Sequence, residues 1–214
     1  MSLETGLVLV AVLVLSAVMH EMAHGYAANA LGDPTARLAG RLTPNPLVHI
    51  DAFGSVILPA LLIFSGSPLL FGYAKPVPYN PYNLKGKFGE AFVAGAGALS
   101  NVALALILGL VLRFASGYMS APFIEVVSLA VYINLLLAVF NLIPIPPLDG
   151  SKVFGALLPA SLSYKYQQFE NRMNAMGPFT GFALVLLVFW AFSPVFSSVI
   201  KGFFFLIVGV PLQL

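Results

Sequence analysis

Five consecutive residues, His20-Glu21-Met22-Ala23-His24, hold two of the chain's three histidines with a glutamate beside the first. On a helix, positions four apart lie on nearly the same face, about 6 Å apart along the axis. Two imidazoles so placed can bind one zinc ion. The intervening carboxylate points elsewhere and is set to take a proton from water activated at the metal. Zinc held by three protein ligands keeps a position open for that water and lowers its pKa to about 7. The alternative is a chance match of three fixed letters in five. Against it, ionisable groups in apolar helices are costly and functional by default, and this segment places three of them together.

The chain has no cysteine, so a third ligand must come from histidine or acid. Besides Glu21 the acids are Glu4, Asp33, Asp51, Glu90, Glu125, Asp149 and Glu170. Asp149 stands out within Pro-Pro-Leu-Asp-Gly, where proline restricts the backbone and Gly150 permits a tight turn. Non-helical backbone at membrane depth is tolerated where it is buried or lines a wet cavity. Asp149 therefore reads either as a surface Asp-Gly turn or, given a metal pair short of one ligand, as the third zinc ligand.

The elements that must carry these residues follow from composition. Of 214 residues, 59% are hydrophobic and 8% charged, against roughly 25% charged in soluble domains. Ten Lys+Arg and eight Asp+Glu cannot coat a soluble surface of this size, which excludes a soluble enzyme and a disordered chain. The net charge of +2 gives no case for nucleic acid as a partner. The expected fold is an all-α polytopic membrane protein, a single integral membrane domain over 1–214 with no soluble accessory domain. Its core is three transmembrane helices, Leu7–Leu31, Phe88–Phe114 and Phe123–Leu142, carrying the zinc site. Met1–Thr5 holds an acid and no base, so the first run reads as a retained span rather than a signal peptide. Residues 35–51 form a polar connection in which short strands are possible. Ala52–Phe71, broken by Pro59, Gly66 and Pro68, is expected to be re-entrant or partly inserted. Ser151–Met176 is amphipathic. Phe179–Leu212 is one span with a tail, or a tight hairpin broken near Ser193-Pro194, so one or two further helices.

Depth and topology constrain the site. His20 lies sixteen residues after Glu4, about 24 Å along a helix, within a hydrocarbon layer of about 30 Å. Three crossings put the metal pair and Asp149 at the same face, and the parity fails if 52–71 also crosses fully. Arg37, Arg41, Lys75, Lys85, Lys87, Lys152, Lys165 and Arg172 then share that face, with Arg113 and Lys201 opposite. The positive-inside rule makes it cytoplasmic, with the N-terminus outside.

With these residues assembled, the chain resembles the site-2 protease family of intramembrane zinc metalloproteases. His-Glu-Met-Ala-His matches the family's first motif, and Asn141 through Gly150 is similar to the second, of the type Asn-x-x-Pro-x-Pro-x-Leu-Asp-Gly. Segments 32–37, 40–51 and 74–78 are similar to compact prokaryotic members. The resemblance implies one zinc ion held by His20, His24 and Asp149, Glu21 as catalytic base, and cleavage of transmembrane segments of membrane-protein substrates in regulated intramembrane proteolysis. It implies a prokaryotic cell membrane as the location. Many relatives carry Ala-Gly-Pro-x-Ser-Asn where this chain has Ala96-Gly97-Ala98-Leu99-Ser100-Asn101. The peptide-binding module of some members is missing.

Other readings stay in view. Asn141 is a candidate for oxyanion or substrate support, or for helix capping or packing. His49 with Asp51 is a second metal pair or relay, or a loop hydrogen bond. Asn101 supports the site or bonds to a neighbouring helix. Gly95, Gly97, Gly177 and Gly181 suit close packing, Phe203-Phe204-Phe205 faces lipid, and Trp190 anchors at an interface. The competing functions are a zinc transporter, which leaves Glu21 without a role and lacks repeat symmetry, and a non-proteolytic membrane scaffold.

Overall fold

The computed structural model describes residues 3–57, 60–61, 64 and 74–212. Among these there are helices and no strand. The helices are α1 (Leu3–Ala30), the single turn α2 (Thr35–Leu38), α3 (Gly89–Ala115), α4 (Ala121–Asn141), α5 (Asp149–Leu157), α6 (Ala160–Ala175), α7 (Pro178–Ala191) and α8 (Ser193–Val208). Three stretches, Gly6–Ala30, Gly89–Tyr118 and Ala121–Asn141, are long and apolar enough to cross a membrane, and they are the three expected spans within a few residues. Large apolar side chains such as Leu15, Leu99, Ile107 and Phe123 stand outward on them. In water that would be an association liability; in lipid it is the favourable side.

The chain divides into two compact units, 1–89 and 90–214. In the first, α1 ends at Gly32, whose φ of 105° needs glycine, and α2 packs on α1. Residues 39–51 contain a 3₁₀ turn at Pro46–His49 rather than strands. Its N-cap is Asn45, whose side chain accepts from the Leu47 N–H. The prolines that removed ladder donors also removed the strand option. The expected re-entrant segment opens as one π turn, Ala52–Ile57. Most of 58–73, and with it the rest of that segment, lies outside the described residues. An irregular run, 74–80, follows, closed by a 3₁₀ turn at Pro81–Asn83.

In the second unit, α3, α4 and α8 build an apolar core from Ala105, Leu112, Val127, Val131, Leu135, Ile200, Phe204, Ile207 and Val208. Asn101 and Asn134 are buried, and the Asn101 amide donates to Asn134 Oδ1 at 2.8 Å. This is the helix-to-helix alternative for Asn101. The amphipathic stretch is a helix pair, α5 and α6. The C-terminal block holds two helices, Ala183–Ala191 and Ser193–Val208, bent by 73° at the break between them. The bend falls at Phe192, one residue before the expected Ser193-Pro194, because Pro194 suits only the first turn of a helix. Phe189 and Phe196 stack across it with centroids 5.5 Å apart. Of the three consecutive phenylalanines, Phe204 is buried in the core rather than turned to lipid, and its neighbours are exposed. Gly177 takes a φ of 90°, and a Cβ there would meet nothing within 4 Å, so it serves a turn rather than packing.

Candidate metal and catalytic residues

α1 delivers the paired histidines. His20 and His24 are buried, their Nε2 atoms are 3.0 Å apart and their rings meet edge-to-face at 88°. Zinc–nitrogen bonds of about 2.0–2.1 Å in a tetrahedral site put two nitrogens about 3.3 Å apart. Two Nε2 atoms within a few tenths of an ångström of that separation fit a shared metal ion, and the donor types suit zinc.

Glu21 lies a hundred degrees around the helix from His20. Its Oε2 accepts the Val77 N–H at 2.8 Å. Val77 belongs to Pro76-Val77-Pro78, in which both flanking residues lack an N–H and favour extended backbone. The one donor of that tripeptide therefore goes to Glu21. Val77 is buried against α1 one turn further on. A Cβ on Gly25 would come 2.5 Å from Leu42 Cδ2 and 3.0 Å from Val77 Cγ1, so glycine here lets these side chains sit close against α1. No side-chain pattern could have pointed to Val77, because its contribution is a backbone group; only the flanking prolines gave a signal.

Asp33, one of the other acids, is committed to structure. Buried, it accepts the Thr35 hydroxyl at 2.6 Å, the Asn80 N–H at 2.7 Å and the Asn83 amide at 2.9 Å. Burial, the largest single influence, pushes its carboxyl up, but these hydrogen bonds together with that from the Thr35 N–H outweigh it and hold the group below its ordinary value. His49 and Asp51 likewise hold loops. His49 Nε2 meets Thr43 O at 3.0 Å, and Asp51 Oδ1 caps the π turn through the N–H groups of Phe53 and Gly54.

In the second unit, Asp149 opens α5 after Leu148 as N-cap. The loop before it is densely held. The Cβ that any other residue would carry at Gly150 overlaps the Leu142 carbonyl, and a Cβ on Gly181 would come 3.0 Å from Pro146 O. Tyr166 donates its hydroxyl to Pro144 O at 2.9 Å. Burial, and then the Glu170 charge, push that phenol up to about 12 against a hydrogen bond from Ser151, so it stays a donor through the physiological range. The Pro146-Pro147 peptide is cis. Lys152 pairs with Glu90 at 3.6 Å. Asn141 donates one amide hydrogen to Leu137 O at 3.0 Å, the helix-internal alternative.

Known proteins carry the same pattern. The sequence model described as Peptidase family M50 matches residues 117–174, the stretch containing Asn141 to Gly150. The chain is 40% identical to a Bacillus subtilis (strain 168) protein named "Putative zinc metalloprotease YwhC", over 76% of this chain and 74% of that one. It is 32% identical to "Putative zinc metalloprotease Rip2" of Mycolicibacterium smegmatis, over 68% of this chain and 54% of the relative. It is 30% identical to the protein of the same name from Mycobacterium tuberculosis (strain H37Rv), over 89% and 67%. No solved structure matches. Given the 40% identity across three quarters of both chains and the three membrane-length helices, this integral membrane protein belongs to peptidase family M50, the site-2 protease family.

Proposed function

We propose that this zinc metallopeptidase hydrolyses peptide bonds in or next to transmembrane segments of other membrane proteins, with 1–214 working as one protease domain. The observation that carries the reading is the convergence of His20 and His24 Nε2 at 3.0 Å, one residue from a carboxylate held in place by a backbone N–H. The protein takes one zinc ion on His20 and His24, with Asp149 as third ligand; the packed loop around Gly150 supports that role by fixing where the carboxylate starts. Bound zinc supplies a Lewis acid and an activated water at neutral pH. Glu21 takes the proton of the attacking water and hands it to the leaving amine. Oε2 of Glu21 keeps its orientation through the Val77 N–H. Asn141, which gives one amide hydrogen to Leu137 O, offers its second as oxyanion or substrate support. A helical substrate must open locally for its backbone to reach these groups. The N-terminus lies outside a prokaryotic cell membrane, and the site is nearer the cytoplasmic face, as the arginine and lysine distribution favours.

The test is cleavage of a single-span substrate by purified protein in detergent, comparing wild type, Glu21→Gln and chelator-treated protein. Cleavage lost in Glu21→Gln while zinc is retained supports the reading. Zinc flux into vesicles that survives Glu21→Gln would move it to transport.

A further inference from the structure

Arg41 is 8% exposed, and its Nε is buried with no hydrogen-bond partner among the described residues. Removing a guanidinium from water while leaving one of its donors unpaired is costly, and the contacts it does make are specific. Nη2 donates to Lys75 O at 2.7 Å and reaches Pro76 O at 3.4 Å, across more than thirty residues of chain. The Pro76 carbonyl and the Val77 N–H belong to one peptide unit, and that N–H is the donor to Glu21 Oε2 at 2.8 Å. A cation therefore sits at the oxygen end of this peptide and a carboxylate at its nitrogen end. The chain just before it is fixed as well: Lys75 N–H donates to His49 O at 2.8 Å while Lys75 O takes Arg41. His49 is itself 2% exposed and anchored to Thr43 O. The run 74–77 is thus gripped at Lys75 on both sides, and the one N–H donor between its prolines ends on Glu21.

We infer that Arg41 is the positioning residue for the Glu21 carboxylate, acting through the Pro76–Val77 peptide. The inference rests on Glu21 as the base in the reading above. The short bond to Lys75 O, with the Pro76 carbonyl 3.4 Å from the same nitrogen, fixes the chain on the carbonyl side of this peptide, and the nearby charge polarises its N–H. Loss of Arg41 lets the peptide rotate, and a base displaced by a fraction of an ångström loses rate without losing substrate affinity. Lysine at this position is not equivalent, since a flexible ammonium cannot hold the planar geometry of a guanidinium.

Two measurements on the full chain in detergent test this. The first is exchange of the Val77 amide with solvent, followed by NMR on protein with labelled valine, the resonance being assigned by its loss in Val77→Ala. The second is kcat and KM for a single-span substrate alongside zinc per chain. With Arg41→Lys the amide should exchange at least about tenfold faster, and kcat should fall at least about tenfold, while KM stays within about twofold and zinc is unchanged. Arg41→Gln, a neutral donor, should show the same losses and serves if the lysine variant does not fold. Unchanged exchange and kcat in either folded variant overturns the inference. Zinc lost together with activity, or failure of both variants to fold, makes Arg41 a stability residue and overturns it too. If wild type cleaves nothing while its Val77 exchange still responds to Arg41→Lys, the protease reading fails and the coupling of Arg41 to the carboxylate stands.

Discussion

The two units solve the same problem, holding irregular chain next to apolar helices, by opposite means. The first is organised by buried polar side chains reaching backbone: Asp33 gathers residues 35, 80 and 83, Arg41 takes two carbonyls, and His49 anchors to Thr43. The second is organised by apolar contact among α3, α4 and α8, with the Asn101–Asn134 amide pair as its polar clasp. In lipid, apolar packing between helices has little hydrophobic advantage over contact with acyl chains. Backbone captured by charged groups is more directional. The polar unit carries the paired imidazoles and the candidate base, where placement to a fraction of an ångström matters. The apolar unit presents a carboxylate at the first residue of α5, after a loop held by close steric contact and by the Tyr166 hydroxyl.

The contrast breaks first at the chemistry. Glu21→Gln should lower cleavage by about 10²–10⁴-fold with zinc content and helix content unchanged, as read by substrate cleavage, metal analysis and circular dichroism. A variant that keeps wild-type cleavage would leave the polar unit's organisation without a catalytic purpose. Next comes the steric loop. Gly150→Ala drives a methyl group into the Leu142 carbonyl and should destabilise the second unit by about 3 kcal/mol, with zinc affinity falling alongside. Thermal unfolding in detergent checks the first effect and metal titration the second. Stability lost with zinc affinity intact would separate the loop from the metal.

The same division decides what could be seen in the sequence. The three spans were legible because apolar length is a one-dimensional property, and the juxtaposition of His20 and His24 because i, i+4 on a helix is fixed by helical geometry. The amphipathic pair α5 and α6 was legible as polarity, though not as two helices. Strands at 35–51 were a fair expectation for a polar run, but Pro44 and Pro46 remove donors, and the backbone bonds to side chains instead. The 73° bend at Phe192 was half legible: Pro194 marks a helix start, but the angle is set by packing such as the Phe189–Phe196 stack. Arg41 looked like one more topogenic charge, yet it is buried. Asp33 looked like turn chemistry and is a four-bond hub. In both cases residue type was visible and the distant backbone partner was not, because a peptide group has no sequence signature.

The amide clasp of the apolar unit gives a smaller effect. Asn134 accepts from Asn101 and donates to Ala130 O at 2.8 Å. Asn134→Ala leaves a buried amide short of a partner and should cost about 1–2 kcal/mol. Asn101→Leu combined with Asn134→Leu removes both polar groups and should lie closer to wild type than the two single losses added together. The double-mutant cycle on thermal or denaturant unfolding reads the coupling. An additive result would mean that the second unit is held by apolar contact alone, and would sharpen the contrast.

The smallest effect is a pH dependence of the polar unit. Asp33 is held below its ordinary value, so its folded-state pKa is lower than its unfolded one, about 3.9. Its stabilisation is present in full well above the unfolded value and is lost as pH falls through the folded one. Asp33→Asn keeps one acceptor oxygen, loses the charge, and brings amide hydrogens toward the Asn80 and Thr35 donors. The variant should therefore unfold at a lower temperature than wild type near pH 7, and the gap should narrow as pH drops below about 4. Proteolysis within 74–83, read by mass spectrometry across the same pH range, should rise in wild type as the gap closes, because the segment loses its anchor at Asn80 and Asn83. A gap that stays constant with pH would mean that Asp33 works by shape rather than charge. The first unit would then be held by the same packing principle as the second.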